Sequence, residues 1–268
     1  MMIYIALHKP SWYPKMASYV PIKVGLNEFE GDFMINDLMG DSINQKNPNY
    51  SELTALYWIY KNSSDEVKGL VHYRRYFTDS VYINKLFYKY SFLSNEKVRK
   101  YLLDYNIIVP KSLQMNTTLY ENYANNHHIK DLEISKQVLL ELYPTYKESY
   151  AYVIETNQKD YQFFYNMFIA PKNIFDDYCG WLFNILFEVE KRINFEDYDN
   201  YQKRLFGFLS ERLFNVYVHH NKLKYKEARV INIETVSIRS LTLNLIVKIL
   251  LKVRLYSVVK KIYRRLRG

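Results

Sequence analysis

Apolar and polar positions along this chain of 268 residues fall into two kinds of run. Residues 2–7, the run ending at Leu70-Val71, and Ile107-Ile108-Val109-Pro110 are continuous apolar stretches of strand length, and proline stops the last of them. Residues 163–170 predict a further strand, ended by Pro171. Between these runs, apolar residues recur at helical spacing. Asn47-Pro48-Asn49-Tyr50-Ser51-Glu52 opens a helix on which Leu53, Leu56, Tyr57 and Tyr60 follow one face. Residues 96–105, 131–142, 176–192 and 206–220 predict further helices. Residues 11–45, which contain Pro14 and Pro21, predict irregular chain, and 62–68 and 194–202 predict a polar turn and a polar loop. Apolar strands alternating with helices predict an α/β fold with a mixed, mainly parallel sheet.

The last segment differs in kind. From Leu251 onward, Leu251, Leu255, Val258, Val259, Ile262 and Leu266 share one helical face, opposite Arg254, Lys260, Lys261, Arg264, Arg265 and Arg267. This divides the chain into a globular domain over 1–235 and a basic amphipathic tail over 236–268. A helix of that kind suits an anionic membrane surface, and it also suits packing on the body or on a partner helix. No apolar run approaches the roughly 18 residues needed to span a bilayer.

Charge sharpens the division. Nine basic residues and no acid lie from Arg239 onward; taking those nine from the total of 37 leaves 28 basic residues against 28 acids in 1–238. The body is neutral, which argues against nucleic acid as its partner. With 49% hydrophobic residues the core is sizeable, and the 28 Tyr either fill it or line a polar cleft or a membrane-facing surface. Only 7 Gly occur, and neither G-x-G-x-x-G nor G-x-x-x-x-G-K-[ST] is present, which disfavours a dinucleotide fold or a P-loop. The single Cys179 excludes an internal disulfide and a cysteine zinc cluster. The first residues lack the basic region of a signal peptide, so a cytoplasmic setting is expected.

The stretch with most chemical content is Gly69-Leu70-Val71-His72-Tyr73-Arg74-Arg75-Tyr76-Phe77. Gly69 separates a helix from a strand, and His72, Arg74 and Arg75 then fall at the carboxyl edge of that strand, where open α/β sheets bind ligands. Adjacent guanidiniums suit a diphosphate, and they equally suit an ion-pair network; His72 alone equally suits a hydrogen-bonded core position. Glu211 interrupts the apolar face of the 206–220 helix, and Arg212 beside it does not share that face. Glu211 is therefore a candidate general base or the buried partner of Arg74 or Arg75. Asp197-Tyr198-Asp199 matches a metal-binding D-x-D pattern but lies in a polar loop with no strand before it. His127-His128 with Asp131 shows no further ligand to complete a zinc site, and leaves a hydrogen-bonding or catalytic role for one of them. Asp37 and Asp41 fall in a turn-rich segment around Gly40.

Several ordered stretches together resemble a family of capsular polysaccharide biosynthesis proteins long labelled a domain of unknown function, which includes bacterial galactofuranosyltransferases. They are 3–9, 20–25, 46–58, 69–77, 127–133, 166–170, 181–183 and 207–215, so the resemblance covers roughly residues 2–235. Two departures are Gly40-Asp41-Ser42-Ile43-Asn44, where relatives read more like G-D-N-I-S, and Ser51, where many carry Cys. The resemblance implies a GT-A-like nucleotide-binding sandwich, with His72-Tyr73-Arg74-Arg75 standing where such folds place their metal-binding acids. It implies a glycosyltransferase using a UDP-linked sugar, most simply UDP-galactofuranose, on a lipid-linked glycan acceptor at the inner face of the membrane. Arg74, Arg75, His8, Lys9, Asp37 and Asp41 are then expected at the donor, with Glu211, Asp131 and His72 as catalytic candidates and no required cofactor or metal. A non-catalytic scaffold of a polysaccharide assembly complex, or a phosphotransferase acting on a sugar polymer, would keep the same fold.

Overall fold

In a computed structural model of the chain, residues 1–31, 35–79, 92–156 and 160–235 are described; the basic tail expected over 236–268 lies outside them. Strands β1 (Met2–Leu7), β2 (Tyr19–Lys23), β3 (Ile35–Asn36) and β4 (Val67–His72) make a parallel unit in the spatial order β3-β2-β1-β4. Beyond β4 the sheet is mixed, built from β5 (Arg75–Thr78), β6 (Ile107–Pro110), β7 (Phe168–Pro171) and β8 (Tyr225–Asn232). Strand β7 runs antiparallel to both β4 and β6, while β8 runs parallel to β6 and antiparallel to β5.

The helices are α1 (Asn47–Tyr50), α2 (Leu53–Asn62), α3 (Asn95–Asp104), α4 (Leu119–Asn126), α5 (Ile129–Leu142), α6 (Lys147–Tyr150), α7 (Lys172–Glu190) and α8 (Leu205–His220). Alternation along the strands divides the core. Tyr4 and Ala6 of β1, Leu70 of β4, and Ile107 and Val109 of β6 pack with α2, α5, α7 and α8. Ile3, Ile5 and Leu7, Val71 and Ile108 point the other way, into a cluster with Val98 of α3. Both faces are covered, so these strands are apolar throughout rather than alternating. Much of the tyrosine content is core: Tyr50, Tyr76, Tyr123 and Tyr150 are fully buried.

Three local features depart from the sequence expectation. Residues 19–23 form a strand despite Pro21; β3 meets β2 only at Ile22 and Lys23, so β2 is in effect an edge strand at the proline. Gly69 does not end a helix but sits within β4, where a Cβ would lie 2.7 Å from Ile169 of β7; its bareness lets the two strands approach. The helix expected from Asn47 breaks at Ser51, whose φ of 51° lies in the left-handed region, and restarts at Leu53 with Glu52 as its N-cap.

Candidate active site

Strand β1 is flanked by β2 on one side and β4 on the other, so the chain order reverses between β1 and β4. A cavity of about 750 Å³ opens at that point, outside the strands' carboxyl ends, as the topology of open α/β sheets leads one to expect. His8 follows β1 and His72 ends β4, and both line the cavity together with Arg74 and Arg75. Tyr73 and Arg74 form a two-residue turn in which neither takes a positive φ. Turns of that kind splay the flanking strands. Strand β5 accordingly pairs with β4 only at His72↔Arg75 and continues along β8. The turn is tied down on both sides, by the Tyr73 N–H to the Ala6 carbonyl (3.1 Å) and by the Ile233 N–H to the Arg74 carbonyl (2.9 Å).

The two adjacent arginines have different surroundings. Arg74 donates from Nη1 to Glu234 Oε2 at 3.0 Å in a partly exposed pair. Arg75 lies over the Tyr165 ring at 4.5 Å and has no carboxylate within 4.0 Å among the described residues. His8 stands edge-on to Tyr73, its ring held below its ordinary pKa first by burial and then by Lys9, Arg204 and Arg74. Burial lowers the His72 pKa, against the pull of Glu52. Its Nε2 is buried without a hydrogen-bond partner among the described residues and lies 3.9 Å from Glu52 Oε1.

The opposite wall comes from the α1–α2 break, the end of α4, the first turns of α8 and the loop before β7. Glu211 accepts the Tyr165 N–H at Oε1 (2.7 Å) and Arg212 Nη1 at Oε2 (3.0 Å). The sequence set Arg212 on another face and offered Arg74 or Arg75 as the partner; instead the long Arg212 side chain folds back along its own helix. Its Nη1 also donates to the Phe208 carbonyl at 3.1 Å and Nη2 to Asn122 at 2.7 Å. Burial raises the Glu211 carboxyl and Arg212 opposes that shift. Arg204 also lines the cavity and donates to Ser51 Oγ at 3.0 Å. His127 stacks on Phe208 at 4.0 Å, and burial lowers its pKa to about 4.

A buried polar network frames this wall. Asn166, 7% exposed, donates from Nδ2 to Glu52 Oε1 at 2.8 Å and to the Gly207 carbonyl at 3.1 Å, while Ser210 Oγ donates to its Oδ1 at 2.7 Å. Asn215 brackets Phe163 through both its N–H and its carbonyl, each at 2.9 Å. Tyr165 and Asn166 have φ of 78° and 49°, a strained pair for residues with side chains.

Other sequence candidates lie elsewhere. Asp131 is buried under the Tyr198 hydroxyl, which donates to it at 2.9 Å, and does not line the cavity. Lys9 pairs with Glu234 at 3.6 Å and lies over Tyr73, just outside the lining residues. Asp37 is buried and accepts from Asn44 Nδ2; Asp41 is an exposed acceptor for Tyr57 (3.1 Å) paired with Lys61 (3.4 Å), and neither lines the cavity. Asp199 caps the turn at 202–204 by accepting the Tyr201 and Gln202 N–H groups. Among the described residues no group of His, Cys, Asp and Glu is arranged to hold a metal ion. Glu52, Asn166 and Arg204 are not marked as site candidates by the sequence, and Arg212 is marked there only as the neighbour of Glu211. Glu52, Arg212 and Asn166 nonetheless fall within stretches that carry the family resemblance.

Fold and cavity together define an α/β protein with a cation-edged cleft at its topological switch point. Residues 2–222 match the family described as "Domain of unknown function (DUF4422)", and the chain belongs to that family. No curated protein matches it. Among solved structures it is similar to the apo form of WbbM, a bifunctional glycosyltransferase, at 30% identity and a TM-score of 0.75 over 86% of this chain. The match spans 45% of WbbM, less than half of that protein. No helix among the described residues is long and apolar enough to cross a membrane.

Proposed function

We propose that this protein transfers a sugar from a UDP-linked donor, galactofuranose by family resemblance, to a lipid-linked glycan in polysaccharide assembly. The observation that carries the reading is the cavity at the β1–β4 switch point, edged by His8, Arg74, Arg75 and Arg204, in a chain similar to a glycosyltransferase. Departure of a nucleoside diphosphate develops negative charge, and preorganised guanidiniums stabilise it most where water is excluded. Arg75, with no carboxylate partner among the described residues, is the group most ready for that task, and Arg74 is freed by exchanging Glu234 for a phosphate oxygen. In this reading guanidinium groups, rather than a divalent ion, neutralise the leaving group. The parallel order β3-β2-β1-β4 followed by the antiparallel β7 supports a GT-A-type sandwich. The basic residues of 239–268 would hold the enzyme near its lipid-linked acceptor, each contributing about 1 kcal/mol at an anionic surface. Replacing Lys260, Lys261, Arg264 and Arg265 with Gln should then weaken co-sedimentation with anionic vesicles.

The experiment is a donor screen. Calorimetry with UDP and UDP-sugars should show binding, and mass spectrometry should show one hexose added to a lipid-linked or alkyl-glycoside acceptor. Binding of no nucleotide sugar would leave the scaffold reading in its place; phosphate or phosphosugar gain in the product would favour a phosphotransferase.

A further inference from the structure

Only Glu52 and Glu211 supply carboxylates to the cavity wall among the described residues, and their side chains are similarly shielded at 15% and 16% exposure. They differ in what their oxygens are already doing. A general base needs a lone pair facing the reactant within hydrogen-bond reach. Both Glu211 oxygens are engaged, one by the Tyr165 N–H and one by Arg212. Protonating Glu211 would also strip the buried Arg212 of its counter-charge, a costly state.

Glu52 is arranged in the opposite way. It stands at the N-cap of α2, yet its side chain makes no capping bond. Oε1 is taken by Asn166, and Oε2 has no partner among the described residues. The side chain is aimed by unusual means. The left-handed Ser51 ends α1 one residue before it, and the left-handed Asn166 is gripped by Gly207 and Ser210 so that its amide reaches Oε1. Backbone strain of this kind persists where surrounding structure over-determines it, and it concentrates at sites of function. Beside Glu52 lies His72 Nε2, unpartnered among the described residues, and across the same strand end lies Arg75.

We propose that Glu52 is the general base of the transfer reaction and Asn166 its positioning residue, an assignment that rests on the glycosyl-transfer reading above. The acceptor hydroxyl gives its proton to Glu52 Oε2 as its oxygen bonds to the anomeric carbon of the donor. The bond from that carbon to the diphosphate oxygen breaks, and the electron pair leaves with the diphosphate toward Arg75. His72 Nε2 accepts a hydrogen bond from a sugar hydroxyl.

The test uses the full chain, UDP-galactofuranose and octyl galactoside acceptors, with donor binding measured separately. Glu52→Gln keeps an oxygen for Asn166 to bond, so fold and donor affinity should hold while transfer falls about 10²–10⁴-fold and the acid limb of the pH–rate profile disappears. Asn166→Ala should lower kcat, leave donor affinity unchanged and keep the acid limb, because the base remains but is loosely held. If Glu52→Gln does not fold, Glu52→Asp is read instead: reduced transfer with donor binding kept supports the assignment, and wild-type transfer overturns it. Full transfer by Glu52→Gln, or loss of transfer confined to a folded Glu211→Gln, also overturns it while leaving glycosyl transfer intact. A wild-type chain that binds no nucleotide sugar removes both proposals together.

Discussion

Arg75 and Arg212 face the same cavity and carry the same charge, but the fold treats them differently. Arg212 is 3% exposed and bonded to Glu211, the Phe208 carbonyl and Asn122, with the rings of Tyr123 and Phe164 beneath its plane. Burial favours the loss of its proton and Glu211 holds it in place. Arg75 rests on one ring and has no carboxylate partner among the described residues. A guanidinium whose two terminal nitrogens donate inside the protein, as those of Arg212 do, organises the wall; one whose donors remain open can serve a ligand. Residue type does not distinguish the two cases, and neither does nearness to a cavity. The separating fact is where the hydrogen bonds go.

Breaking the comparison at its structural end should have the largest effect. Arg212→Met leaves Glu211 buried without its counter-charge and should cost about 3–5 kcal/mol, read as a fall in melting temperature of about 2–4 °C per kcal/mol for a domain of this size. A shift inside the error of the melt would mean that the pair is not closed. Arg75→Ala should do the reverse. Its stability should stay within about 0.5 kcal/mol, whereas loss of charge-assisted bonds worth about 1.5–3 kcal/mol should weaken UDP-sugar binding by one to two orders of magnitude. Lys at 75 should recover little of that, since a point charge lacks the planar fork.

A smaller effect tests the stacked histidine. Burial lowers the His127 pKa from 6.5 to about 4, so the folded state resists a proton that the unfolded chain accepts. Its contribution to stability is complete above 6.5 and is lost as pH falls toward 4. Melting temperatures of His127→Gln should therefore decline less over that window than those of the wild type; parallel curves would show that His127 is not the group responsible. The smallest change is expected from Glu234→Gln. The Arg74–Glu234 pair is exposed and worth about 0–1 kcal/mol, and without it Arg74 is free, so UDP binding should tighten slightly. Weaker binding would place Glu234 in the site rather than in competition with it.

Legibility followed physical cause. Strands covered on both faces are continuous apolar runs, so β1, β4 and β6 were visible in sequence. The helices α2, α5, α7 and α8 showed through their apolar faces, within a few residues of their ends. Strand β2 was hidden by Pro21, β8 by the polar residues that a single covered face permits, and β5 by its length of only four residues. In the site, the cations at the end of β4 were legible because a strand end is a local event. The pairing of Glu211 with Arg212 was not, because face assignment from helical spacing ignores how far a guanidinium can fold back. Glu52 went unnoticed for a related reason: its environment depends on a left-handed Ser51, and serine gives no warning of that conformation.

The way the strands pair beyond β1 has a mechanical consequence. From β4 the ladder runs to β7, then β6, then β8, then β5, and from Arg75 it returns to β4 at His72. That path is a closed circuit, so none of these strands can slide along a neighbour without disturbing every other joint. His72 and Arg75 are the joint where the ring is fastened. Their side chains are fixed to a clasp rather than carried on a loose loop. A ligand gripping them would pull against the whole ring, and opening of the cleft falls to the opposite wall of helix ends and the loop before β7.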